Sequence, residues 1–444
     1  MLNLAKRLVS KGVHVTLATT DVANVSTNFI SNQNIKPKSP GISVEFFSDG
    51  LRLEFDRVKN SKTFGDSLST NGSRNFSHLL KRLITEGKKF HCVIGNPFLP
   101  WVPGVVAEHD IPCAVLWIQA CAVYSIYYHY FRNPKLFPKL DNLDESINLP
   151  GMPTIRVRDL PSLILPSSDI SPKAVREFIH NLDKVKWVLG NSFNELEEDV
   201  VRSMVALHPI YPIGPLVSPS LLGKEETISG NVDLWSAEHS CIDWLDKRPP
   251  SSVVYISFGS ILVLPQKQID SLALGLKNSN QPFLWVIKPP DKGAERKCGE
   301  LPPNFLEETK DRGLVVRWCP QEKVLTHQAL ACFITHCGWN STLETIVAGV
   351  PVITYPEWSD QPTDAKLLVD VFKVGVRLET EDGVAAPEEV ERCISEITSG
   401  PKAAEMKKRA VELKEAAKKA VADGGSSDQN IDQFIAELIK ESSC

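Results

Sequence analysis

The stretch CFITHCGWNSTLETIVAG, residues 332–349, concentrates groups that could hold an anion. Read locally, CFIT is a buried strand that delivers His336 at its end, and Gly338 allows a tight turn. NSTLETIVAG then starts a helix whose first turn carries Asn340, Ser341 and Thr342. A helix start leaves backbone N–H groups without partners, and the helix dipole favours negative charge there, so this arrangement suits a phosphate. His336 could add a further donor. Ser341 and Glu344 also spell S-x-x-E, a capping box that satisfies the same groups with no ligand. Trp318, upstream, reads by itself first as a packed aromatic and only then as a platform for a base, and His336 by itself first as a satisfied core histidine. The local pattern leaves these readings open.

These residues need a scaffold, and the chain supplies short apolar strand candidates with helical stretches between them. The first half offers HVTLAT (14–19), ISVEFF (42–47), CVIGN (92–96), CAVLWIQ (113–119) and WVLGNS (187–192). The second offers VVYISFGS (253–260), FLWVIK (283–288), GLVVRW (313–318), CFITHCG (332–338) and PVITYP (351–356). Strands so continuously apolar, alternating with helices, indicate parallel sheets covered on both faces. The fold class is α/β: two doubly wound domains facing across a cleft, with ligands at the carboxyl ends of the strands. The polar segment 218–240 is the expected linker. It divides an N-terminal domain (1–217) from a C-terminal domain (241–423). An amphipathic helix in 424–444 is expected to pack back on the N-terminal domain.

Bulk properties narrow the function. A chain of 444 residues favours two domains, and a net charge of −5 without a basic block disfavours nucleic acid. No apolar run is long enough to span a membrane, so no stable membrane insertion is expected. The first twelve residues are amphipathic, unlike a secretory leader, and the ten cysteines are scattered, which together suggest the cytoplasm. No G-x-G-x-x-G follows an early strand, which argues against a nicotinamide dehydrogenase.

Taken together, WCPQEKVLTHQALACFITHCGWNSTLETIVAGVPVITYPEWSDQ, the 44 positions from Trp318 to Gln361, closely resembles the plant secondary product glycosyltransferase box. That box is the signature of plant family-1 UDP-dependent glycosyltransferases, enzymes of GT-B fold. The resemblance extends over the whole chain, including VVYISFGS before the box and GGSS (424–427) after it, and is looser in the first half. It implies that Trp318 stacks on uracil with Gln321 near base and ribose, and that Glu344 bridges the ribose hydroxyls. His336, Asn340, Ser341 and Ser260 would hold the diphosphate. Trp339, Asp360 and Gln361 would grip the sugar, and Gln at the last position goes with UDP-glucose. His327 reads as structural. The chain has no D-x-D motif, so no metal and no cofactor beyond the UDP-glucose co-substrate are expected, with a small molecule as acceptor.

Two departures from the family concern the acceptor side. The family begins with a strand and a loop written GHINP, whose His is the general base; this sequence opens inside the following helix, MLNLAKRLVSKG. The catalytic His is therefore expected to precede Met1, and the sequence looks N-terminally truncated. The family's Asp partner to that His is replaced by Asn96. With NPFLPW and IPCAVLWIQACAVYSIYYHY, Asn96 resembles the subgroup that makes glucose esters of carboxylic acids. Such an acceptor, with pKa about 4, is already ionised at neutral pH. Asp21 is a weak substitute base, being equally a loop or N-cap residue. His14 and His91 should lie at the wrong ends of their strands. The reading is an inverting glucosyltransferase; the alternative is an impaired UDP-sugar-binding remnant.

Overall fold

The computed structural model describes residues 1–22, 41–57, 59–168, 170–224, 240–259, 262–287 and 300–441. Ser260 and most of the expected linker lie outside them. The chain opens with helix α1 (Leu2–Ser10), which buries Leu4, Ala5 and Leu8 and stops before Gly12, whose φ of 83° suits a residue without Cβ. Strands β1 (Val15–Thr20) and β2 (Ile42–Phe47) follow and pair in parallel, Val15 opposite Ile42. Helix α2 (Ser73–Thr85) turns Phe76, Leu79, Leu80 and Leu83 inward. Next come β3 (Val93–Gly95), the short α3 (Val102–Ala107), β4 (Cys113–Trp117) and helix α4 (Cys121–Arg132). Strands β5 (Trp187–Gly190) and β6 (Ile210–Pro212) complete the first domain.

The second domain holds β7 (Val253–Ser257), β8 (Phe283–Val286), β9 (Gly313–Val316), helix α5 (Gln321–Leu325) and β10 (Leu330–Thr335). Helix α6 (Trp339–Ala348), β11 (Val352–Thr354), helix α7 (Gln361–Lys366) and β12 (Gly375–Arg377) follow. Its six strands form one parallel sheet in the order β9-β8-β7-β10-β11-β12. The first domain's strands fall into two parallel blocks, β1-β2 and β3-β4-β5-β6.

All ten strand segments read from the sequence are strands in the structure. Four were not anticipated: β6 and β12, each three residues long and at a sheet edge, and the two-residue segments Ser146–Ile147 and Ile155–Arg156, which pair antiparallel by themselves. Pro212 in β6 and Gly375 in β12 break the apolar run that betrays a strand.

Burial explains the sheet's two faces. Ala114, Leu116, Trp187 and Leu189 pack with Leu4 and Leu8 of α1 and with Ile431 and Phe434 of the last helix, α8 (Ser426–Glu441). The alternate residues Cys113, Val115, Trp117 and Val188 turn to the other face, toward α2 and α4. Helix α4 starts in the core, where its orphan N–H groups need an acceptor. Buried Glu197 supplies one, accepting from the N–H of Cys121 (3.1 Å) and Ala122 (2.9 Å) and from the Ser192 hydroxyl.

The final helix clasps the first domain. Trp187 and Phe434 meet edge to face at 5.3 Å, the Trp187 indole donates to Glu437 (2.6 Å), and Ser427 donates to the carbonyl of Gly214 (2.5 Å). Truncating Phe434→Ala should cost about 3 kcal/mol through the cavity left beside Trp187. Urea unfolding followed by tryptophan fluorescence reads this as a lower midpoint with an unchanged slope; an unchanged midpoint would show that α8 adds no packing.

Candidate functional site

The site grows from the register between β7 and β10, which sets Tyr255 beside Phe333 so that their rings stack at 4.7 Å. That stacking aims the Tyr255 hydroxyl at the start of α5, where it donates to Gln321 Oε1 (3.1 Å). With its carbonyl thus engaged, Gln321 turns its amide nitrogen to α6, donating to Ser341 Oγ (3.1 Å) and Glu344 Oε2 (2.7 Å). Gln321, Ser341 and Glu344 are therefore one hydrogen-bonded unit. Trp318 stands half-buried three residues before Gln321, in the turn that leaves β9.

Ser341 is drawn into this unit and makes no cap hydrogen bond at the start of α6. The capping-box alternative is thereby answered: Glu344 faces Gln321, one turn along the helix. Burial pushes the Glu344 carboxyl up to about 7 against the restraint of the Gln321 amide.

His336 leaves the end of β10 and lies between two glycines. A Cβ on Gly259 would stand 2.9 Å from the imidazole, and one on Gly338 only 2.6 Å from its Nε2. The turn itself is made by Cys337, whose φ is 64°, while Gly338 has an ordinary φ of −59°. Gly338 is thus required by space beside His336, not by its dihedral angle as the sequence suggested. The imidazole Nδ1 is shut off from solvent without a hydrogen-bond partner among the described residues, and desolvation lowers the His336 pKa to about 4. A neutral imidazole and the first N–H groups of α6 thus share one corner, with exposed Asn340 at its rim.

The remaining box residues lie at the seam between the domains. The Trp339 indole is buried, donating to the carbonyl of Asn191 at 2.7 Å. Ser162 and Ser359 exchange two hydrogen bonds, the N–H of each reaching the other's carbonyl or hydroxyl at 2.7 Å. Gln361 accepts from the N–H of Glu357 and Trp358, which shapes the turn before α7. Asp360 and Asp364 are both buried; desolvation raises both carboxyls, and the charge of Asp360 raises Asp364 further. Beside them a cavity of about 420 Å³ opens between the domains, lined by Phe98, Gln119 and Leu163 on one side and Asn340, Trp358 and Asp360 on the other.

His327 accepts the N–H of Ala329 at Nδ1 and donates from Nε2 to the Asp246 carboxylate at 3.1 Å, a purely structural arrangement. Asn96 ends β3 with its side-chain carbonyl on the N–H of Phe98 (2.9 Å). Asp21 follows β1 at the same end of the sheet, and His14 and His91 precede β1 and β3 at the opposite end. Among the described residues, no group of three or more His, Cys, Asp and Glu is placed to hold a metal ion. Sequence reasoning missed Tyr255, Asn191 and Ser162, whose roles arise only when distant segments meet.

Glu344 and His336 should tilt stability with pH in opposite senses. Glu344 ionises near 4.5 when unfolded and near 7 when folded, so its contribution is lost as pH rises between those values. His336 ionises near 6.5 when unfolded and near 4 when folded, so its contribution is lost as pH falls between them. Relative to the parent, Glu344→Gln should therefore gain stability with rising pH across that window, and His336→Asn should lose it. Thermal melts from pH 4 to 8 decide; two variants with the same pH trend would refute these environments.

Comparison with known proteins adds a second line. A family model described as UDP-glucoronosyl and UDP-glucosyl transferase matches residues 239–408. UDP-glycosyltransferase 84B2 of Arabidopsis thaliana is 48% identical over 441 residues, covering 99% of this chain and 97% of that relative. Gallate 1-beta-glucosyltransferase 84A24 of Punica granatum is 41% identical, covering 100% and 86% respectively. Cinnamate beta-D-glucosyltransferase of Fragaria ananassa is 40% identical, covering 99% and 80%. Among solved structures, Os79 from O. sativa in complex with UDP superposes with a TM-score of 0.82 at 30% identity, covering 98% of this chain and 97% of that one. No described helix is long and apolar enough to cross a membrane. Identity of this extent along the whole chain makes it a member of the UDP-glycosyltransferase family, a sugar-transferring enzyme of GT-B fold.

Proposed function

We propose that this chain is an inverting, metal-independent glucosyltransferase that moves glucose from UDP-glucose to the carboxyl group of a small aromatic acid in the plant cytoplasm. The observation that carries the donor half is the Gln321–Ser341–Glu344 unit below Trp318. A carboxylate held by an amide is suited to accept from two vicinal ribose hydroxyls, with uracil on the Trp318 face. The diphosphate would lie over His336, Asn340, Ser341 and the start of α6; Ser260, given the same role by the family resemblance, lies outside the described residues. The sugar would enter the seam cavity against Asp360 and Gln361. Trp339, its indole N–H committed to Asn191, offers its ring and backbone alone.

In the reaction an acceptor oxygen attacks the anomeric carbon. The bond from that carbon to the diphosphate breaks, and its electron pair leaves on UDP. Helix N–H groups and the neutral His336 would stabilise the charge that develops there. Two relatives are named for gallate and cinnamate, both carboxylic acids, which supports an acid acceptor. So does Asn96, which puts an amide rather than a carboxylate at the end of β3. An ionised acid needs no proton removed before it attacks. The relatives' named activities favour transfer over the alternative of a UDP-sugar-binding remnant.

Incubating the 444-residue chain with UDP-glucose and matched panels of benzoic or cinnamic acids and simple phenols tests this reading. Alkali-labile glucose esters are expected, with phenol glucosides at least about tenfold slower. UDP binding without turnover on any acceptor would instead support the remnant.

The nucleotide assignment has its own check. Ribose hydroxyls donating to Glu344 prefer the ionised carboxyl, so binding below pH 7 must release a proton. UDP affinity should fall as pH drops from about 7 to 5.5, and Glu344→Gln should bind more weakly with that slope removed. Calorimetry in two buffers of different ionisation enthalpy measures the proton; none released at pH 6 argues against Glu344 as the ribose ligand.

A further inference from the structure

Asp360 and Asp364 stand one turn apart at the start of α7. The N–H of Asp364 donates to the carbonyl of Asp360 at 3.0 Å, and their side chains lie on one face of the helix. Asp360 lines the seam cavity, and Asp364 lies behind it with no exposed surface. The Asp360 carboxyl comes within hydrogen-bond reach of the side chains of Gln119, Ser359 and Asp364. Neither oxygen of Asp364 accepts from any donor among the described residues. Two carboxyls therefore face each other in the interior, and Asp364 has only Asp360 to answer it.

The surroundings supply the pair with no free positive charge. Arg377, on the nearby strand β12, is committed to Asp159 at 2.9 Å, and Lys366 pairs with Asp370 and Asp159. The groups that face the pair from other elements are neutral or acidic: Tyr127 of α4, the buried Glu197, and Cys337 before α6. Two ionised carboxylates in contact, out of water and without a cation, would repel each other, so one proton stays between them. That proton belongs to Asp364. Asp360 has the Gln119 amide, the Ser359 hydroxyl and an opening on the cavity to sustain a negative charge. Asp364 has none of these, and burial together with the charge of Asp360 pushes its carboxyl well above the usual range.

We infer that Asp364 is a positioning residue for the sugar: it keeps its proton, donates it to Asp360, and so holds a singly charged Asp360 carboxylate with its free acceptor turned to the seam cavity. The inference rests on the reading that the glucose unit of UDP-glucose lies against Asp360. A carboxylate fixed from behind meets a sugar hydroxyl already oriented, where a loose one would first have to be ordered. An amide at position 364 supplies the same donor; an aliphatic side chain does not.

Two measurements on the full chain test this. Infrared difference spectra at neutral pH should show the carbonyl band of a protonated carboxylic acid in the parent that is lost in Asp364→Asn and shifted in Asp360→Asn, where its acceptor has changed. No such band, or one unmoved by Asp360→Asn, overturns the shared proton. Calorimetry without acceptor then compares affinity for UDP-glucose with affinity for UDP, which makes no contact with the pair and reports an intact nucleotide site. Asp364→Leu should weaken UDP-glucose about tenfold relative to UDP, and Asp364→Asn should recover most of that loss. Equal losses in both variants would overturn the inference, since a donated hydrogen bond would then not matter. The two readings separate through Asp360→Asn. If it lowers the ratio and Asp364→Leu does not, the sugar placement stands and the positioning role is overturned. If Asp360→Asn leaves the ratio unchanged, the sugar placement fails and the positioning role falls with it.

Discussion

The hydrogen bond from the Trp339 indole to the carbonyl of Asn191 is the contact on which the two-domain site depends. Trp339 is the first residue of α6, so the bond ties the start of the proposed phosphate helix to the loop leaving β5 of the other domain. The Asn191 side chain in turn accepts from the N–H of Leu216 (2.8 Å), which holds the loop in place. Around this centre the same logic recurs. Ser359 locks to Ser162, Thr363 donates to the carbonyl of Asp159 (2.7 Å), and Arg377 pairs with the buried Asp159 carboxylate (2.9 Å). Residues of the donor signature and their neighbours thus hold the seam, beside any ligand role proposed for them. A sugar placed at Asp360 would lie within reach of the first domain because the seam, not the sugar, has set that distance.

The electrostatics of the second domain follow from what these contacts bury. Glu344, Asp360 and Asp364 are carboxyls in protein surroundings with no cation paired to any of them among the described residues, and all three are pushed toward the protonated form. His336 is pushed the other way, toward neutrality. The site therefore carries less charge than its residue types suggest. At Asp360 and Asp364 that spares a ligand with two phosphates much of the repulsion of buried ionised carboxylates, whereas Glu344 is proposed to ionise as the ribose hydroxyls donate to it. Neutral donors and the dipole of α6 favour an anion without that opposition.

The donor half was legible in the sequence because its logic is local. Strand, turn and helix start are contiguous from Cys332 to Gly349, and Gln321 meets Glu344 only 23 positions away. Even there one inference failed: Gly338 follows from the space beside His336, and the left-handed turn residue is Cys337. The seam was not legible. Ser162 and Ser359 stand 197 positions apart, and nothing in either neighbourhood marks a partner. Tyr255 reads as one more apolar residue of a buried strand, since its hydroxyl acquires a target only when α5 is folded over it. The short edge strands β6 and β12 escaped for a related reason, being held by neighbours rather than by their own apolar pattern.

The first domain shows how one lateral gap distributes its consequences. Helices α1 and α8 bury Leu4, Leu8, Ile431 and Phe434 against the sheet face, and α2 buries its own row against the other face. These helices fix the walls of a cavity of about 680 Å³ between β1 and β3 whether or not a strand lies there. Apolar burial is non-directional and tolerates the gap; backbone pairing is directional and does not. Asn96 sits at the mouth of that cavity, and Asp21 follows β1 at the same end of the sheet. Both therefore lie on the side of the first domain where the acceptor is proposed to bind, apart from the candidate donor residues, which are held by β7 to β12 and the seam.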